Sequence, residues 1–280
     1  MSQIGQPSAP QPSHPRLRPF EQAPRPLVGY AHDYPDGHHT GRHQHPRAQL
    51  LYATAGLMRI ETDDAHYAVP PGSGLWVPAG ASHAVRTDGE VRMRALFLRA
   101  DAARAGPREI SLIAISPLLR ELILAACAEP LAWEKRGRVG HIAALAIDEI
   151  GRAASRPLSL PVARDPRLAR VTQALLADPM DGRGLAEHAE AAGASVRTLA
   201  RLFRAETGMS FQQWRRQLRM TEALARLAQG EPPERAAARV GYASVPAFGA
   251  AFRSVFGTTP GRVGKAGVGS AVGLGQSSLR

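Results

Sequence analysis

The chain has 280 residues, 35 basic against 24 acidic side chains, and a single cysteine, Cys127. That length holds two ordinary domains. No apolar run reaches the ~20 residues of a membrane helix and no basic-then-apolar leader opens the chain, so a cytoplasmic protein without internal disulfides is expected. Of the basic residues 33 are arginine, whose planar fork suits phosphate and guanine edges. Charge alone leaves two readings open, a nucleic-acid partner or a merely solvated surface.

Residues 1–26 carry seven prolines and little apolar periodicity, and read as a disordered tail. Residues 27–102 then offer short apolar or alternating runs such as "AQLLYATAG", "HYAVPPG" and "GLWVPAG" between Gly, Pro and Asp breaks. Spacing of this kind predicts a small β-barrel or sandwich. Residues 103–164 switch to helical patterning in "SPLLRELILAACAEP" and "GHIAALAIDEIGRAA", a helical dimerisation or linker region. Its stripe of Leu119, Leu122 and Ile123 either forms a dimer helix or packs on the chain's own barrel. The proline-bearing "RPLSLPVARDP" closes this region as a linker. Residues 165–263 read as helices with Gly-marked turns, and the Gly/Ser-rich 264–280 as a flexible tail.

Within 165–263, "LAEHAEAAGASVRTLARLFRAETG" places a short helix, a Gly193 turn and a second helix capped by Ser195. Val196, Leu199 and Phe203 fall on one face of that second helix, with Arg197, Arg201 and Arg204 opposite. The plan recurs in "PPERAAARVGYASVPAFGAAFRSVFGTTPGRV", where Gly241 is the turn, Ser244 the cap and Phe248, Phe252 and Val255 the apolar stripe. "SFQQWRRQLRMTEALARLAQG", opened by a Ser210–Gln213 capping box, joins the two. A connector of that length spans roughly 28 Å, close to the ~34 Å between successive major-groove faces.

The segments "SVRTLARLFRAETGMSFQQWRRQLRM" and "RVGYASVPAFGAAFRSVFGTTPGRV" closely resemble the DNA-binding domain of AraC/XylS-type transcription regulators. Gly241, Tyr242, Ser244, Phe248, Phe252, Arg253, Phe256, Gly257 and Pro260 hold its most specific pattern. The resemblance implies two helix-turn-helix heads on double-stranded DNA. Its expected contacts are Ser195, Arg197, Thr198, Arg201 and Arg204 in the first head, and Ser244, Val245, Ala247 and Arg253 in the second. Arg215, Arg216 and Arg219 on the connector are expected to grip phosphate or pack the helix. Many relatives carry a basic or polar side chain where this chain has Ala250, so sequence choice is expected to concentrate in the first head.

His43 and His45, with Gln49 four residues on and Gly56 beyond, are followed by Gly72, Pro78, Gly80 and His83. Together they resemble both motifs of the cupins, a barrel that the sensory domains of many AraC-type regulators also resemble. The expected architecture is therefore two-domain, β then all-α: a cupin-like barrel with following helices, then the double helix-turn-helix. In metal-binding cupins the position of Gln49 is usually glutamate. The three imidazoles could still hold a divalent transition metal (zinc, nickel, copper or iron), or line a small-molecule pocket without one. The chain is accordingly expected to be a non-enzymatic regulator, an activator or repressor, acting as a homodimer on DNA. A small-molecule or metal effector would control it, with RNA polymerase as a further partner. The alternative is a metal-dependent cupin enzyme fused to a DNA-binding module.

Overall fold

The computed structural model describes residues 11–12, 14–69, 72–156, 159–256 and 259–263. Its first half is a sheet of ten strands. The frame is the pairing of two long antiparallel strands, β4 (Ala48–Thr62) and β7 (His83–Leu98). Against β7 lies β2 (Leu27–Tyr34). Against β4 lie β5 (Ala65–Val69) and β6 (Ser73–Val77). The inward residues of these strands, among them Leu51, Met58, Ile60, Val85, Met93 and Phe97, are buried. A bulge on β4 runs past Gly56 (φ +77°), where an added Cβ would meet the Glu90 carbonyl oxygen at 2.3 Å.

The expected tail and linker are both partly built into this barrel. The short β1 (Gln11–Pro12) pairs in parallel with β3 (His43–Gln44). A 3-10 turn at Pro15–Leu17 then leads into α1 (Arg18–Gln22). Leu17 and Ala23 are buried, and Phe20 packs edge-on against Tyr30 with ring centroids 4.9 Å apart. Residues 14–26 are thus not a disordered tail: a few apolar side chains among the prolines suffice to dock them. Residues 1–10, 13 and the second expected tail, 264–280, lie outside the described residues.

Beyond the short α2 (Ala100–Ala103), the region 103–164 contributes strands as well as helices. β8 (Ser111–Ala114) pairs with β6, β9 (Ser155–Arg156) with β8, and β10 (Ser159–Pro161), inside the expected linker, with β5. The helices α3 (Pro117–Cys127) and α4 (Arg138–Arg152) cover the sheet. Gly29 permits this approach, since a Cβ there would lie 2.5 Å from the Ala126 backbone. Leu119, Leu122 and Ile123 are buried in the chain's own core with Ile142, Ala146 and Leu96. The dimer-helix reading of that stripe is corrected: the apolar face is already spent on α4 and the barrel.

The second half is all helix. α5 (Pro166–Ala177), α6 (Leu185–Ala191) and α7 (Val196–Thr207) form one head; α9 (Pro233–Arg239) and α10 (Val245–Phe256) form the other. Between them runs α8 (Phe211–Ala228), its first turn closed by the Ser210–Gln213 capping box. One end of α8 gives Trp214 and Leu218 to the first head's core, with Phe203 and Leu168. The other gives Leu224 and Leu227 to a core shared with Ala236, Phe248 and Phe252. Among the described residues no helix is long and apolar enough to cross a membrane. Gly56→Ala combines an unfavourable φ with a backbone clash, so it is expected to lower stability by about 2–3 kcal/mol in a denaturant titration.

Candidate functional site

His43 sits in β3 directly opposite His83, the first residue of β7. His45 follows β3, its carbonyl accepting a bond from Gly80 N–H in the β6–β7 turn at 2.8 Å. All three imidazoles are buried, and each can offer a nitrogen within 4.8 Å of the others. Their ring centroids lie 4.5–5.2 Å apart. Each Nδ1 is held: His43 donates to Gly41 O at 2.9 Å, His83 to Ala81 O at 3.1 Å, and His45 to the Glu21 carboxylate at 2.7 Å. A neutral imidazole has one N–H, so spending it on an oxygen leaves Nε2 as a lone pair. The Nε2 atoms of His45 and His83 are buried with no partner among the described residues, and so is Gln49 Oε1. Burial holds all three histidines below their ordinary pKa, His83 to about 3, and so keeps these lone pairs free near neutral pH.

This donor set fits a divalent transition metal. Metal-ligating histidines usually have the second ring nitrogen oriented by a carboxylate or carbonyl, as all three have here. Gln49, on β4, carries a neutral amide where metal-binding cupins usually have a carboxylate. Glu21 was not singled out in the sequence, and no signal there points to it: it lies 24 positions before His45 in the proline-rich stretch. Arg47 was missed as well. Its buried guanidinium donates to the backbone carbonyls of Glu21 (2.7 Å), Arg25 (2.9 Å) and Ala23, and so ties the N-terminal segment over the histidines.

In the helical half, Arg197, Arg201 and Arg204 of α7 are exposed, and Ser195 caps the helix by accepting from Thr198 N–H at 3.1 Å. Val196, expected in the buried stripe, is 47% exposed; Leu202 takes the inward place beside Leu199 and Phe203. The three connector arginines separate. Arg216 is exposed. Arg215 donates to Arg183 O at 2.8 Å and lies over the Phe211 ring. Arg219 turns to the carbonyls of Pro179 and Asp181, both at 3.1 Å, binding α8 to the end of the α5–α6 loop. In the second head Ser244 caps α10 through Ala247 N–H at 3.3 Å; Val245 and Arg253 are exposed, while Phe248 and Phe252 are buried.

A family model for the AraC-like ligand-binding domain matches residues 26–202, and one for a helix-turn-helix domain matches 188–266. The HTH-type transcriptional regulator NimR of Escherichia coli strain K12 is 32% identical over 220 residues, 79% of this chain and 80% of its own. The chain belongs to the AraC family of transcription regulators. An HTH-type regulator of Corynebacterium glutamicum, RipA, is 38% identical over 126 residues, covering 44% of this chain and 38% of its own. Among solved structures, fatty-acid-bound ToxT of Vibrio cholerae aligns over 88% of this chain and 98% of its own, at 10% identity and a TM-score of 0.38.

This AraC-family regulator has the fold class its sequence implies, a mainly antiparallel barrel followed by two helix-turn-helix heads. Its ligand-binding half and its DNA-binding half also touch. Arg59 of β4 bonds Asp88 at 2.5 Å on one side and Glu222 of α8 at 2.8 Å on the other. Ala225 packs with Leu57 and Ala68, and Gln217 Nε2 donates to Ser159 O at 2.7 Å. Removing the Arg47 clamp should release the N-terminal segment while leaving the barrel folded. Arg47→Ala is expected to speed tryptic cleavage at Arg16–Leu17 about tenfold under native conditions, with an unchanged circular dichroism spectrum.

Proposed function

We propose that this regulator takes up an effector at its histidine centre and converts that event into altered occupancy of an operator by its two heads. The observation that carries the reading is three buried imidazoles, each with Nδ1 anchored, two with an unpartnered Nε2, in the same chain as two exposed reading helices. His43, His45 and His83 would hold a divalent metal, with Gln49 as a weak fourth donor. Such an ion would supply a positive centre that draws in a ligand's lone pairs or simply rigidifies the barrel. The protein's own residues do the rest. Glu21 and the two carbonyls orient the imidazoles, and Arg47 keeps the N-terminal segment in place over them.

Strand β4 carries Gln49 near one end and Arg59 toward the other, where the Asp88–Arg59–Glu222 bridge meets the connector between the heads. An effector that favours one barrel conformer changes DNA affinity only if that conformer holds α8 differently. This bridge is where the difference is passed on. In the first head Arg197 and Arg201 read base edges, with Arg204, Ser195 and Thr198 beside them. In the second, Ser244, Val245, Ala247 and Arg253 anchor to the backbone, because Gly249 and Ala250 offer no base-reading group. Arg216 grips phosphate, while Arg215 and Arg219 act mainly by packing. The protein works in the cytoplasm as a homodimer, without turnover of its own, and contacts RNA polymerase where it activates.

The test is selection of bound genomic fragments by the purified chain, with zinc or nickel added and with chelator. One metal per chain and a metal-dependent operator profile are expected; His83→Ala should lose both. A profile indifferent to metal, with no metal retained, would overturn the metal arm. Steady product formation from a cupin substrate, lost in His45→Ala, would favour the enzyme instead. Arg201→Ala should relax base preference at its contacted position by about 1–3 kcal/mol, and Arg253→Ala should weaken all sequences about equally. Glu222→Gln should leave metal uptake intact but flatten the metal response of operator affinity in the same titration.

A further inference from the structure

A cavity of about 440 Å³ opens at the barrel mouth between the N-terminal segment and β2, and His43 forms part of its lining. That size lies at the compact end of the ~300–1,000 Å³ range of small-molecule pockets. One wall is a ladder of flat rings. Tyr30 and His32 are stacked at 6.0 Å, His32 and Tyr34 meet edge-on at 4.5 Å, and Tyr34 stacks on His38 at 4.6 Å. Tyr30, His32 and Tyr34 alternate along β2, so their side chains share its inner face. Rings in such a row offer π-faces and edges to a flat ligand.

The charged side chains that line this cavity are basic. Arg16, Arg18 and Arg42 line it, and among the described residues no carboxylate does. Arg42 is spent on an ion pair with Asp63. Arg16 and Arg18 have no carboxylate within 4.0 Å among the described residues, and the first acidic residue of the whole sequence is Glu21. That carboxylate is taken by His45. A mouth walled by rings, rimmed by two guanidinium groups with no carboxylate partner among the described residues and lined by His43, selects for a definite chemistry. Guanidinium groups bind carboxylates by paired charge-assisted hydrogen bonds that a neutral amide cannot reproduce.

We infer that the barrel mouth binds a compact aromatic carboxylate, its ring along the Tyr30–His32–Tyr34 wall, its acid on Arg16 and Arg18, and its far edge toward His43. The inference rests on the reading of this barrel as the effector-binding half and gives that effector a chemical class. Because both arginines stand on the segment clamped by Arg47, the acid would bridge that segment to the barrel wall. Binding would therefore add to the docking of residues 14–25.

The experiment is isothermal titration of the full chain with 1-naphthoate and, as its neutral counterpart, 1-naphthamide, with operator binding measured on the same preparations. The acid is expected to bind at least about tenfold tighter than the amide. The double variant Arg16→Gln, Arg18→Gln should bring the two within about twofold, whereas Arg16→Lys, Arg18→Lys should keep a preference for the acid. Arg16 and Arg18 are both exposed, and circular dichroism checks the fold of each variant. Equal binding of acid and amide, binding of neither at millimolar concentration, or an acid preference that survives the glutamine variant would each overturn the inference. Such a result with operator binding intact would leave the regulator reading standing. Failure of the wild-type chain to select any operator would sink that reading instead.

Discussion

The pairing of β4 with β7 is the constraint on which the rest of the molecule depends. It runs from Ala48 opposite Leu98 to Thr62 opposite His83, interrupted only at the bulge around Gly56. Because side chains alternate along a strand, a slip of one residue would send every inward side chain outward. The register therefore sets which side chains enter the barrel, and it carries His83 to the edge where β3 delivers His43. It also places Arg59 and Asp88 on adjoining strands, where their pairing leaves a guanidinium edge for Glu222 of the connector. The histidine centre and the contact between the two halves are thus both consequences of one ladder.

The chemistry at the centre follows from how its N–H groups are spent. Two backbone carbonyls and one carboxylate take the three Nδ1 protons, and burial disfavours a second proton on any ring. Unsatisfied lone pairs in a buried site cost free energy unless something binds there. The donor set kept together here suits a positive ion or a hydrogen-bond donor. The N-terminal segment matters here in two ways, through Glu21 on His45 and through the basic rim that Arg16 and Arg18 form over the same mouth.

Much of this was legible in residue order. The Gly turns and Ser caps mark both heads, since these local devices work through neighbours three or four positions away. The cupin-like motifs named His43, His45 and His83, and the structure brings them together. Longer-range contacts were not legible. The role of Glu21 depends on a pairing 24 residues distant, Arg47 on carbonyls more than twenty residues upstream, and β10 on pairing with β5 across roughly ninety positions. The stripe of Leu119, Leu122 and Ile123 looked the same whether its cover was another chain or its own barrel. Gly29, which lets α3 sit close, decided for the barrel.

The sequence by itself determined the class of the protein: a basic chain, a β-patterned half with spaced histidines, and two capped helix-turn-helix units on one connector. Periodicity, capping and turn chemistry are short-range, so they are written in consecutive residues. Only the tertiary structure decided which arginines face outward and which are spent inside. Arg216 and Arg219 read alike on the connector, yet Arg219 bonds the carbonyls of Pro179 and Asp181 while Arg216 is exposed. It also decided that a proline-rich stretch would close over the histidines, because burial of Leu17 and Ala23 and the Arg47 clamp exist only once the barrel has formed.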